Sequence, residues 1–259
     1  MGRNAMISVQ SLTKVFEKGD TRVIAIQNLN IDVFENEFLC ILGPTGCGKT
    51  TLLRIMAGLE KPSSGKVLLD GKEIKGPDAD MSMVFQEFAL FPWRSVKKNI
   101  EFGLEIKGLQ EEKKKDIVRN LVSLINLKGF EDSHPRELSS GMKQRVAIAR
   151  ALAHDPKLLI MDEPFGSLDA QTRNIMQKEL LRIWDKTKKT IIFVTHSVDE
   201  AVFLADRIAL LTSRPGSLKT IFEIKTPHPR DRTSVEFLPI RGKILKELEG
   251  EVENSLCSP

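Results

Sequence analysis

The stretch GPTGCGKT, Gly43 to Thr50, decides the fold. It fits the phosphate-loop pattern G-x-x-x-x-G-K-[ST], and its flanks supply the context that the pattern needs. Before it, EFLCILG is apolar throughout until Gly43, as a strand buried on both faces would be. After it, KTTLLRIMAG reads as a helix with Leu52, Leu53, Ile55 and Met56 turned inward and Gly58 closing it. Strand, glycine loop and helix in that order make an anion cradle. Glycines let backbone N–H groups face a β-phosphate, and the helix presents its positive dipole end to the same anion. In that cradle Lys49 reaches the β- and γ-phosphates, and the Thr50 hydroxyl ligates Mg²⁺. The plainer alternative is a glycine turn carrying a surface lysine.

Further out, two other apolar runs end in residues able to do chemistry. LLIMDEP, Leu158 to Pro164, places two adjacent carboxylates at the end of a strand. Burying them side by side is costly unless a cation or a solvent-filled site receives them. Asp162 is therefore expected to hold Mg²⁺ through water, and Glu163 to act on the attacking water as general base. The plainer reading makes Glu163 a helix-start carboxylate before Pro164. FVTHS ends a second buried strand with His196. A lone histidine there is more often a satisfied core residue. Beside a phosphate loop and an acidic pair on sister strands, it falls at the sheet edge where α/β folds bind ligands, which suits the γ-phosphate.

The rest of the chain reads as architecture. MISVQSL and RVIAIQNLNIDV are β-rich, and the second alternates as a half-solvated antiparallel strand does. SSGKVLLDGKEI carries turn signals around two short strands. From about Phe88 to Asp155 helical spacing takes over, with Ile117, Leu121, Leu124 and Ile125 expected inward and a second helix from Gly141 to Ala153. KLLIMDEP, TIIFVTH and DRIALLT then alternate with the helical AQTRNIMQKELLRIWDKT, the pattern of a parallel sheet covered on both faces. The tail is expected to end in a helix with Ile240, Ile244 and Leu248 on one face.

The expected fold class is α/β: a P-loop NTPase core with a mostly parallel sheet, an N-terminal antiparallel β-subdomain and an inserted α-helical subdomain. A single domain spans 1–259, with 6–86 and 156–215 forming the core and β-subdomain and 87–155 the helical part. Residues 216–259 form a short extension, too few for another globular domain.

Composition narrows the function classes. The net charge is +4 over 259 residues and the basic residues are scattered, so nothing marks a nucleic-acid partner. EEKKKD, Glu111 to Asp116, mixes signs as a solvated helix face does. Cys40, Cys47 and Cys257 form no Cys-x-x-Cys pair and no metal spacing, which suits free thiols in a reducing compartment. The apolar runs LLIM and AVFLA fall far short of the ~20 residues of a spanning helix. No basic-then-apolar start suggests a signal peptide. The expectation is a cytoplasmic chain that meets a membrane only through a partner.

Together these motifs resemble the ATP-binding subunit of ABC transporters over about residues 6 to 215. LSSGMKQR, Leu138 to Arg145, is similar to the signature sequence, FGSLD (Phe165 to Asp169) to the D-loop, and Gln86 to the Q-loop glutamine. The family usually has L-S-G-G-Q; here Ser140 replaces the first glycine and Met142 the glutamine. The resemblance implies ATP and Mg²⁺ as cofactors. It implies an ATP site of Phe16, stacked on adenine, with Gly43, Pro44, Thr45, Gly46, Cys47, Gly48, Lys49, Thr50 and Thr51. Mg²⁺ would be held by Thr50, Gln86 and Asp162, and catalysis carried by Glu163, His196, Lys49 and Gln86.

By the same resemblance two copies form a head-to-tail homodimer, and Ser139, Ser140, Gly141 and Asp169 reach the nucleotide on the partner's loop. The implied reaction is phosphoryl transfer to water, driving import through integral membrane permease subunits. A periplasmic or surface substrate-binding protein would feed the permease, and this chain would lie peripherally on the inner face of the cell membrane. FPWRSV, LLTSRPGSL and TPHPRD are similar to the nitrate, sulfonate and taurine importer group, which implies a small anion as cargo. A soluble ABC-type ATPase of DNA maintenance would insert a long coiled coil between loop and signature, and the translation type would fuse two such domains. A small-molecule kinase has no use for a signature. VFQEFALFPWRSVKKNI gathers Phe88, Leu90, Phe91, Pro92 and Trp93 after Gln86. These form either core of the helical insertion or a groove for a short helix of the membrane subunit.

Overall fold

The computed structural model describes residues 4–19 and 21–257, without the side chains of Lys18 and 254–257. The chain separates into two compact units. One joins the residues up to Asp78 with those from Thr190 onward, and the other is Ala79–Lys189.

The first unit opens with β1 (Ala5–Lys18) and β2 (Thr21–Phe34), an antiparallel pair. The alternation expected of β2 holds for Leu29, Ile31 and Val33, but Ala25 and Ile26 are buried side by side. Between them Asn28 takes φ 45, opposite register shifts near Leu12 and Lys14 in β1. Such an irregularity resets which face the side chains meet. Next come β3 (Phe38–Leu42), α1 (Lys49–Met56), β4 (Ser64–Leu69) and β5 (Lys72–Glu73). β4 pairs with the other edge of β1, giving the sheet order β2-β1-β4-β5. The inward residues of α1 are buried as expected.

The second unit contains β6 (Met81–Val84), α2 (Val96–Ile106), α3 (Glu111–Leu124), α4 (Ser140–Leu152), β7 (Leu158–Asp162) and α5 (Ala170–Thr187). β6 runs parallel to β7, with Met81 opposite Leu158 and Val84 opposite Met161. The buried stripe of α3 is Lys114, Val118 and Val122, continued by Ile125, while Ile117, Leu121 and Leu124 are only half-buried. This rotates the helix from the expected face. Val118 and Val122 take the inward positions, and Lys114 joins them by its aliphatic stem while its ammonium pairs with Glu111 at 2.5 Å.

The chain returns to the first unit with β8 (Thr190–Val194), α6 (Val198–Leu204), β9 (Arg207–Leu211), β10 (Leu218–Glu223) and α7 (Phe237–Cys257). β3 lies parallel to β8 on one side and β9 on the other, and β10 closes the edge antiparallel to β9. All residues of β3, β8 and β9 are buried, as in a sheet covered on both faces. Ile244 anchors α7, with Ile240 and Leu248 partly buried.

Ahead of α7, buried Arg230 donates to the carbonyls of Val202 (2.9 Å), Phe203 (3.3 Å) and Ala205 (2.7 Å), where α6 leaves them unpaired. Its burial lowers the guanidinium pKa to about 10. Cys40 and Cys47 are buried free thiols, and the Cys257 side chain lies outside the described residues. Among the described residues, no helix is long and apolar enough to cross a membrane.

Candidate functional site

In the first unit the phosphate loop links the end of β3 to α1. Gly48 caps α1 at φ 100, and a Cβ there would sit 2.8 Å from the Ala25 carbonyl, so only glycine fits. Lys49 is 7% exposed, and its ammonium donates to the Gly43 carbonyl at 2.7 Å and the Pro44 carbonyl at 2.8 Å. The charge is therefore held over the centre of its own loop. Pro44 is buried, Thr45 and Thr50 are exposed, and Thr51 is half-buried. Burial pushes the Cys47 thiol up, against the pull of neighbouring Lys49.

His196 is exposed just beyond β8, the parallel neighbour of β3. Loop and histidine thus leave the same edge of adjacent strands. Around it the Thr195 hydroxyl donates to the Glu200 carboxylate, and Ser197 caps α6 by accepting from the Glu200 N–H at 3.3 Å. Phe16, toward the far end of β1, is 42% exposed, with the Lys14 ammonium 4.8 Å from its ring centroid.

In the second unit Asp162 is the last residue of β7 and is buried; Glu163 follows, half-buried, at φ 44. A non-glycine residue in the left-handed region marks a turn held by its surroundings. Gln86 lies two residues beyond β6, the partner of β7, so it leaves the same edge as the acidic pair. The two converge on Gly166, where a Cβ would stand 3.6 Å from Gln86 Nε2 and 3.8 Å from Glu163 Oε2.

Asp169 is the N-cap of α5, accepting from the N–H groups of Gln171 (3.1 Å) and Thr172 (2.9 Å). Hydrogen bonds from Thr172, side chain and then backbone, hold its carboxyl below the usual range. Ser139 caps α4 by accepting from the Met142 N–H at 3.3 Å, leaving its hydroxyl proton free to donate elsewhere. Ser139 and Ser140 are exposed. Gly141 instead faces inward, where a Cβ would meet Thr172 Cγ2 at 3.0 Å, so its smallness also lets α4 approach α5.

The ABC transporter family pattern matches residues 26–166. The chain belongs to the ABC transporter ATP-binding family. Its reaction is therefore ATP hydrolysis, and the fold expected from the sequence is the one found. This ABC ATPase is 59% identical to an uncharacterized ABC transporter ATP-binding protein of Methanocaldococcus jannaschii, over 96% of this chain and 94% of that protein. An aliphatic sulfonates import ATP-binding protein of Bacillus licheniformis is 47% identical over 94% of each chain. One from Bacillus cereus is 43% identical over 96% of this chain and 99% of that one. Among solved structures, a dimeric ATP-binding cassette in a post-hydrolysis state with ADP and Pi has a TM-score of 0.74 and 30% identity. It covers 86% of this chain and 100% of its own.

One contact near the loop was not legible as a site in the sequence. Arg214, in the turn after β9, donates from Nε and Nη2 to the Gly46 carbonyl at 3.2 Å each. The SRPG string signals a turn, but nothing local tells which backbone it touches.

Proposed function

We propose that this ABC ATPase powers import of a small anion, an alkanesulfonate before nitrate or taurine, through a membrane permease. The observation that carries the reading is 43–47% identity, along nearly the whole chain, to sulfonate import ATP-binding proteins. In this reading Phe16 stacks on adenine and residues 43–51 wrap the phosphates, with Lys49 neutralising the β- and γ-oxygens. In the same reading Thr50, Gln86 and Asp162 would each offer an oxygen donor of the kind a hard cation takes, and Mg²⁺ would neutralise charge between the phosphates. Glu163 takes the proton of the attacking water, and His196 orients toward the γ-phosphate. Ser139, Ser140, Gly141 and Asp169 would act on the nucleotide of a second copy, making the working form a homodimer.

The permease would dock on the second unit. There a groove of 840 Å³ is lined by Phe88, Leu90, Pro92, Pro135, Arg136 and Lys143. Trp93 is 72% exposed beside it, 5.7 Å from Phe91 between ring centroids, which favours a contact surface over a core role for Trp93. Buried Asn99 fixes this loop, accepting from the Phe91 N–H (2.8 Å) and donating to the Arg94 carbonyl (2.9 Å). The chain would then sit peripherally on the inner face of the membrane, with a substrate-binding protein delivering cargo outside.

Reconstitution with its permease and binding protein tests the reading. ATPase stimulation by ethanesulfonate, and not by nitrate, is expected. Stimulation by nitrate alone would reject the sulfonate assignment, and ATPase activity indifferent to any membrane protein would favour a soluble role.

A further inference from the structure

We propose that Arg214 is a positioning residue for the phosphate loop, locking one loop peptide in the orientation that accepts an anion. The inference rests on the reading that residues 43–51 hold the nucleotide. The turn Thr212–Ser217 lies against that loop through Gly216, whose N–H donates to the Ala25 carbonyl at 3.0 Å and whose carbonyl accepts from the Gln27 N–H at 2.9 Å. A Cβ on Gly216 would come within 2.0 Å of the Cys47 carbonyl oxygen, so turn and loop backbones touch directly. The turn is itself braced. The Thr212 hydroxyl donates to the Pro215 carbonyl at 3.0 Å, and Glu251 of α7 accepts from the Ser213 N–H at 2.9 Å.

From this fixed base the two Arg214 donors converge on the Gly46 carbonyl. Because a peptide is planar, holding that oxygen also fixes the Cys47 N–H, which closes the loop by donating to the Pro44 carbonyl at 3.3 Å. Gly46, at φ 80, has the conformational freedom for this peptide to flip. A flipped carbonyl would turn a partial negative charge toward the phosphates. The planar guanidinium opposes this with two bonds that a single ammonium cannot reproduce.

The test measures ATP affinity by calorimetry, with melting temperatures, for Arg214→Ala, Arg214→Lys and Lys49→Ala. Arg214→Ala is expected to bind ATP about tenfold more weakly at an unchanged melting temperature, the size of one charge-assisted hydrogen bond. Arg214→Lys should recover only part of that loss. Parental affinity in Arg214→Ala, full recovery with lysine, or a loss matched by a fall in melting temperature would overturn the proposal. Lys49→Ala binding ATP as tightly as the parent would reject the nucleotide assignment of the loop itself, a separate failure.

Discussion

Lys49 is surrounded by acceptors that belong to its own loop, the Gly43 and Pro44 carbonyls, and it is nearly removed from solvent. In the proposed reading a charge held there in advance would serve the phosphates as preorganised electrostatics do. Lys49→Ala is expected to lower ATP turnover with the permease present on the order of 10²–10³-fold, as loss of one such donor does elsewhere. Turnover within twofold of the parent would show that the loop does not carry the phosphates. At this scale the positions of Gly43–Thr50 between a buried strand and a helix, of Asp162–Glu163 at a strand end and of His196 just past one were legible. Arg214 was not, because it reaches a carbonyl 168 residues away. Nor was the left-handed turn at Glu163, since nothing in MDEP demands a positive φ.

The elements hold these residues by contacts that can be loosened one at a time. Arg230→Met would leave the last carbonyls of α6 unpaired in a buried setting, at a cost of about 2–3 kcal/mol. Because Arg230 acts at the end of α6 opposite His196, thermal melting should fall before nucleotide affinity does. An unchanged melting temperature would mean that the capping contributes nothing. Docking of α7 should depend on pH. Burial pushes the Glu251 carboxyl up, but hydrogen bonds from Lys219 and Ser213 outweigh it and leave the pKa lowered. A carboxylate that is a stronger acid when folded stabilises above its unfolded pKa, about 4.3. That contribution is lost as pH falls through the folded value. Glu251→Gln should flatten the acid limb of the stability curve, and an identical limb in both proteins would exclude the contact. The strands with continuous apolar runs and the helices with clean periods were legible in the sequence. β6 and β10 were not. Only Val84 is fully buried in β6, and β10 is a half-solvated edge with no buried position, so neither leaves an apolar run.

At the scale of the whole molecule, two copies are proposed to share each nucleotide. The sequence suggested this only through resemblance, because no property of LSSGMKQR alone tells whose phosphate it would meet. The structure guides how to probe it. Gly141 is a poor place for a test, since a Cβ there would crowd Thr172 Cγ2 of α5 at 3.0 Å and confound packing with charge. Ser140 is a good one: exposed, the first residue of α4, where a carboxylate favours the helix dipole and spares the fold. Glu163→Gln should keep nucleotide binding while removing the base, so that ATP-bound dimers accumulate. Adding Ser140→Glu places a negative charge against the partner's γ-phosphate and leaves each chain's own loop untouched. Size-exclusion chromatography with Mg²⁺-free ATP is predicted to show a dimer for Glu163→Gln and an ATP-binding monomer for the double variant. A double variant that dimerises with ATP as readily as the single one would contradict the shared site.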